Sequence, residues 1–293
     1  MNDDDADRKL GSDSRLTFTP PADGAYLVRV SDVRGFAGDN FNYRLTIREP
    51  KPDFDVKLAK NSLAVSAGSA TGLTLNVQRI DGLSGDIVVE VKNVPAGYTL
   101  ASPVVIQDGH DSARTVLTAA PDAKPVDAAV WKQVEFSAVA KVGGKDVVKP
   151  VAGITGVSLE EKPKLVVRLE PAELTIAPGT TISAMLKVER NGFKDRVAFD
   201  VANLPHGIIV DNIGLSGILI PEGQTEREVF LTCDAWVSET DRLFFAETKT
   251  ARAGGGKTEF EASAAVRLKV RRESPLVRTD EPAKSPAATT APK

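Results

Sequence analysis

Leu63-Ala-Val-Ser-Ala-Gly68 has a counterpart in Leu174-Thr-Ile-Ala-Pro-Gly179, and Asn93-Val-Pro-Ala-Gly97 has one in Asn203-Leu-Pro-His-Gly207. Between them, Leu75-Asn-Val-Gln-Arg79 matches Leu186-Lys-Val-Glu-Arg190, and Ile87-Val-Val-Glu-Val91 matches Val197-Ala-Phe-Asp-Val201. Further on, Val116-Leu-Thr-Ala119 matches Phe230-Leu-Thr-Cys233. An offset of roughly 110 residues is too long for a solenoid unit and is the size of one β-sandwich. The repeats are therefore expected over residues 54–160 and 164–272 as two tandem immunoglobulin-like sandwiches.

The residues around these blocks carry strand chemistry. Val134, Phe136, Ala138, Ala140 and Val142 alternate with Glu135, Ser137, Val139 and Lys141. Val266, Leu268 and Val270 alternate with Arg267, Lys269 and Arg271. Period two with one apolar face marks a half-buried strand. The runs are cut by Asp81-Gly82, Gly143-Gly144, Asn191-Gly192 and Gly254-Gly-Gly256, which read as turns. No amphipathic helix of 12 residues or more is apparent, so the class is all-β. The Asn-x-Pro-x-Gly blocks read as structural turns, since proline fixes φ and glycine accepts positive φ.

Composition excludes much chemistry. The 293 residues carry a net charge of −3, which gives no basic field for nucleic acid or an anionic membrane. No apolar run is long enough to span a bilayer. Cys233 is the one cysteine, so disulfides within the chain and cysteine-rich zinc sites are excluded. It lies in an apolar strand pattern and is expected to pack. His110 and His206 are the two histidines, each in a turn. No Gly-x-Ser-x-Gly, His-Glu-x-x-His or phosphate-cradling loop occurs, and Gly254-Gly-Gly-Lys257 lacks the P-loop spacing. No catalytic residue is assigned. Trp131 and Trp236 sit at similar repeat positions and are read as packing residues rather than a sugar-stacking pair.

The ends differ from the repeats. Ser274–Lys293 holds Pro275, Pro282, Pro286 and Pro292 among small and charged residues. Residues 273–293 are read as a disordered tail, having too little apolar surface to offset the ordering entropy. At the other end, strands are expected at about 15–19, 25–31 and 41–48. Three strands with one apolar face need a second layer, which fifty residues hardly supply. Asp3, Asp4, Asp5, Asp7 and Asp13 are candidate calcium ligands, although Arg8 stands where an EF-hand has its turn glycine.

Four blocks in this first segment carry a family resemblance: Asn2-Asp-Asp-Asp5, Ser14-Arg-Leu-Thr-Phe18, Pro21-Ala-Asp-Gly-Ala-Tyr-Leu-Val-Arg-Val-Ser-Asp32 and Tyr43-Arg-Leu-Thr-Ile47. Together they resemble the second half of the bacterial pre-peptidase C-terminal domain, a β-sandwich module found beside peptidase domains and in other large exported proteins. The resemblance covers residues 1–50. It implies further strands of the same domain ahead of Asn2, with Met1 either an internal start or an artificial boundary, and an exposed apolar face around Leu16, Phe18, Tyr26, Val28 and Val30. The two repeats look like those in long secreted proteins of planctomycete-type bacteria. Residues 1–10 show no basic start followed by an apolar run, so no secretory signal is read there. A secreted, periplasmic or cell-surface location is implied by the resemblance alone.

Three functions fit these features. The first is a non-catalytic accessory, spacer or adhesion region, with Glu49-Pro-Lys-Pro-Asp53 and Glu160-Glu-Lys-Pro-Lys164 as semi-rigid linkers. The second is a module binding polysaccharide or matrix protein. The third is an enzyme with an unrecognised site.

Overall fold

The computed structural model describes residues 14–32, 34–160, 163, 165–211, 213, 217–248 and 261–272. Among them the chain is all-β, with one helical turn. The first set of strands is β1 (Asp53–Leu58), β2 (Ser62–Ser66), β3 (Ala70–Ile80), β4 (Ile87–Lys92), β5 (Tyr98–Leu100), β6 (Val104–Ile106), β7 (Ser112–Ala119), β8 (Glu135–Val142), β9 (Lys145–Val151) and β10 (Gly156–Glu160). One sheet runs β1-β3-β7-β5, the facing sheet β6-β4-β8-β9, and β10 lies parallel to β2.

The second set is β11 (Leu165–Glu170), β12 (Glu173–Ile176), β13 (Thr181–Arg190), β14 (Val197–Ala202), β15 (Ile208–Asp211), β16 (Ile218–Ile220), β17 (Glu226–Cys233), β18 (Thr240–Thr248) and β19 (Val266–Val270). Its sheets are β11-β13-β17-β15 and β12-β19-β18-β14-β16. In both sets the first sheet has the strand order of the four-stranded sheet of an immunoglobulin constant domain.

The alternation seen in the sequence places the cores. Phe136, Ala138 and Ala140 of β8 point inward onto Phe54, Leu75 and Ile87. Val266, Leu268 and Val270 of β19 do the same against Phe199, Leu231 and Phe244. Each core draws only on its own stretch of chain, residues 54–157 and 165–270. The Asn-x-Pro-x-Gly turns have φ of +61° and +70° at Asn93 and Asn203, and +84° and +85° at Gly97 and Gly207. Asparagine and glycine are the residues that accept this region most readily.

The helical turn α1 (Ala128–Trp131) carries no sequence signal beyond its cap, Asp127, whose carboxylate accepts from the Ala129 N–H at 2.6 Å. It drives Trp131 fully into the first core, edge-on to Tyr98 at 5.0 Å. Trp236 does the opposite and stands 59% exposed. The reading of both tryptophans as packing residues therefore holds for Trp131 and fails for Trp236. Val237, buried beside it, fills the second core instead.

Residues 14–50 correct a second expectation. The segments 15–19, 25–31 and 41–48 form no strand ladder among the described residues. Among the described residues no second layer covers them, and isolated strands without one are marginal in water. Their apolar side chains stay exposed, 78% for Ile47 and fully for Leu27, along with Leu16, Phe18, Tyr26, Val28 and Val30. Local ring contacts join Phe18 to Tyr26 at 5.1 Å and Phe36 to Phe41 at 5.7 Å. The segment is anchored at Asp81, in the β3–β4 turn. That carboxylate pairs with Arg48, accepts from the Lys51 N–H at 2.8 Å and lies 3.7 Å from Arg15. The Arg48 hydrogen bond, the Lys51 N–H and the two guanidinium charges hold its pKa down at about 2.

Candidate functional site

The second sandwich buries one of its sheet faces twice. In β18, Phe244 and Ala246 point into its own core, as alternation requires. Their neighbours Phe245 and Glu247 point outward, yet both are buried. What covers them is the first sandwich. Ala70 and Val116 of β3 and β7 close on Ala202, Phe245 and Ala262 as a third apolar cluster. The loop carrying Ala262 threads the seam, bridging to Ala70 on one side and Glu247 on the other. Its N–H donates to Ala70 O at 3.0 Å, and the next N–H, of Ser263, donates to Ala246 O at 2.8 Å.

Polar groups fix the register of this seam. Glu247 accepts a charge-assisted hydrogen bond from Arg114 of β7. A buried carboxylate is costly unless paired, so this contact selects one docking geometry. Burial lowers the Arg114 pKa, and the charge of Asp200 works against that shift. Gly72 makes the pair fit. A Cβ there would lie 3.0 Å from Arg114 Nη2 and 3.3 Å from Glu247 Oε2. Ser69 Oγ donates to Glu261 Oε2 at 2.6 Å. At the rim, Arg242 meets Asp86 at 3.1 Å, and the His206 N–H donates to Gln107 Oε1 at 2.9 Å.

The residues singled out in sequence fall into three groups. Asp3, Asp4, Asp5, Asp7 and Asp13 lie outside the described residues, as do Gly254–Gly256 and the 273–293 tail. Among the described residues no three His, Cys, Asp or Glu side chains converge on one point. Cys233 is buried, and that burial raises its thiol pKa, which suits a packing role. His110 and His206, read as unrelated turn residues, are brought together across the seam with ring centroids 6.2 Å apart. His206 also stacks obliquely on Trp236 at 5.2 Å. Among the described residues no helix is long and apolar enough to cross a membrane.

Sequence reading missed the seam itself. Its signal was present as Phe244-Phe245-Ala246, a run that breaks alternation because both faces are covered.

No family model and no curated protein matches the chain. Among solved structures, domains 4 and 5 of the S-layer protein SbsC are 16% identical over 63% of this chain and 75% of that one, at a TM-score of 0.26. The D0–D1 domain of intimin is 16% identical over 73% of this chain and 97% of that one, at a TM-score of 0.26. A protein of unknown function from Porphyromonas gingivalis W83 is 12% identical over 73% of this chain and 98% of that one, at a TM-score of 0.25. Likenesses at this level carry no argument about what the chain does.

Proposed function

We propose that the chain is a non-catalytic accessory region of an exported bacterial protein. In this reading its two sandwiches act as one rigid spacer. The observation that supports it is the seam, an apolar cluster with a partly buried Arg114–Glu247 pair and a bridging loop at Ala262. Flexible tandem domains have small polar contacts, whereas a buried, register-specific interface holds two domains at one angle. Residues 1–50 then belong to a module of the pre-peptidase C-terminal type, and further strands of that module form the layer that covers Leu16, Phe18, Tyr26, Val28 and Val30.

Spin labels at Lys92→Cys and Glu226→Cys, in a Cys233→Ala background, test the spacer by pulsed dipolar spectroscopy. A single narrow distance distribution is expected. A broad distribution spanning many separations overturns the reading.

Exposed Trp236 favours a second reading, a polysaccharide-binding face, because an open indole beside polar rings suits a sugar ring. Retention on insoluble glycans that Trp236→Ala abolishes supports it; equal retention of wild type and variant rejects it.

A further inference from the structure

The chain has two histidines, and the fold sets one from each sandwich edge to face against the other at the mouth of the seam. We infer that His110 and His206 form a two-imidazole site for a borderline divalent transition metal, of the Ni2+, Cu2+ and Zn2+ class, which clasps the two sandwiches together. Such ions take neutral imidazole nitrogen, whereas calcium takes oxygen.

The hydrogen bonding defines the ligand atom on one side. His110 Nδ1 lies 3.1 Å from Asp108 O. A backbone carbonyl only accepts, so Nδ1 carries the proton and Nε2 holds the free lone pair. A ring oriented by a backbone carbonyl through one nitrogen, with the other nitrogen free, is the usual arrangement of a metal-ligating histidine. On the other side, the His206 backbone is tied to the same loop, its N–H donating to Gln107 Oε1 at 2.9 Å.

The spacing is also suitable. Imidazole nitrogen binds such metals at about 2.1 Å, so two rings on one ion have centroids roughly 5 to 6 Å apart. The rings here are 6.2 Å apart and inclined at 66°. Both residues are exposed, so a hydrated ion reaches them without opening the fold, and small side-chain rotations complete the chelate. Water fills the remaining positions, since no third His, Cys, Asp or Glu among the described residues converges there. The site is therefore exchangeable and acts at the seam, separately from both cores.

Trp236, 5.2 Å from His206, supplies the readout. Paramagnetic Ni2+ or Cu2+ is titrated into the untagged chain while indole fluorescence is followed. Saturable quenching at one equivalent is expected. Loss of one ligand of a two-ligand site should weaken binding by roughly tenfold or more in His110→Ala and in His206→Ala alike. The double variant, left with no imidazole, should lose the one-equivalent quenching altogether. Both rings lie outside the cores, so neither substitution opens a cavity. Absence of quenching in the wild type, or an unchanged midpoint in either single variant, overturns the site.

Discussion

β8 and β18 occupy the same place in their sandwiches and live in different surroundings. Each pairs with the strand that follows the long β3 or its counterpart β13 in the chain, β4 for β8 and β14 for β18. In β8 the outward positions are Glu135 and Ser137, facing Lys92 and Glu90 across the ladder. In β18 the matching positions are Phe245 and Glu247, facing Ala202 and Asp200. β8 alternates between buried and open, whereas Phe244 to Thr248 of β18 are buried without a break. One fold thus carries two kinds of strand. The second kind arises where a whole domain, rather than water, lies on the outer face. The repeat dictates the sandwich, and departures from the repeat dictate how the sandwiches join.

The sharpest way to break this comparison is to treat the two outer faces alike. Phe245→Ala should destabilise the protein by about 3 kcal/mol in urea unfolding, because a buried ring leaves a cavity. Glu135→Ala, at the matching open position, should stay within about 0.5 kcal/mol. Equal effects would mean that β18 is no more covered than β8. Next in size, Glu247→Ala should cost about 2 kcal/mol by stranding Arg114 in a partly desolvated seam, and Ser137→Ala about nothing.

The paired turns sharpen the contrast. Gly97 and Gly207 share a positive φ, so alanine is strained at both. At Gly97 a Cβ meets Ala123 no closer than 3.5 Å, but at Gly207 it would lie 2.5 Å from Val237 and 2.6 Å from Trp236. Gly207→Ala should therefore be worse than Gly97→Ala by about 1 kcal/mol in thermal unfolding, the cost of displacing packed neighbours.

The smallest effect concerns the anchor of residues 14–50. Asp81 has its pKa held at about 2, below the ordinary carboxylate value near 3.9. A depressed acid contributes stability above its unfolded pKa and loses it as pH falls through the folded one. The anchor should hold at neutral pH and release between about pH 4 and pH 2, and Asp81→Asn should release it at pH 7. Faster proteolysis of residues 14–50, with the sandwiches intact, is the expected sign. No change in the Asn variant would mean that Asp81 anchors nothing.

Much of each sandwich was legible because one buried face writes itself into the sequence at period two. Phe136, Ala138 and Ala140 announce β8, and Val266, Leu268 and Val270 announce β19. The turns were legible because Asn93 and Asn203 tolerate the positive φ that they adopt. The same alternation at residues 41–48 produced no ladder, since pattern supplies a face but not the layer that covers it. Trp236 escaped because its repeat partner Trp131 is placed by a helical turn that the second copy lacks among its described residues. His110 and His206 escaped because nothing in a linear pattern brings together turns 96 residues apart.

The central claim is that the two sandwiches share a built seam. Amide hydrogen exchange at Ala262 tests it most directly, because that N–H donates across the seam to Ala70 O at 3.0 Å. Protection comparable to that of the core strands β13 and β17 is expected, falling sharply in Phe245→Ala. Exchange of the wild-type Ala262 amide at the rate of an open loop would contradict the account.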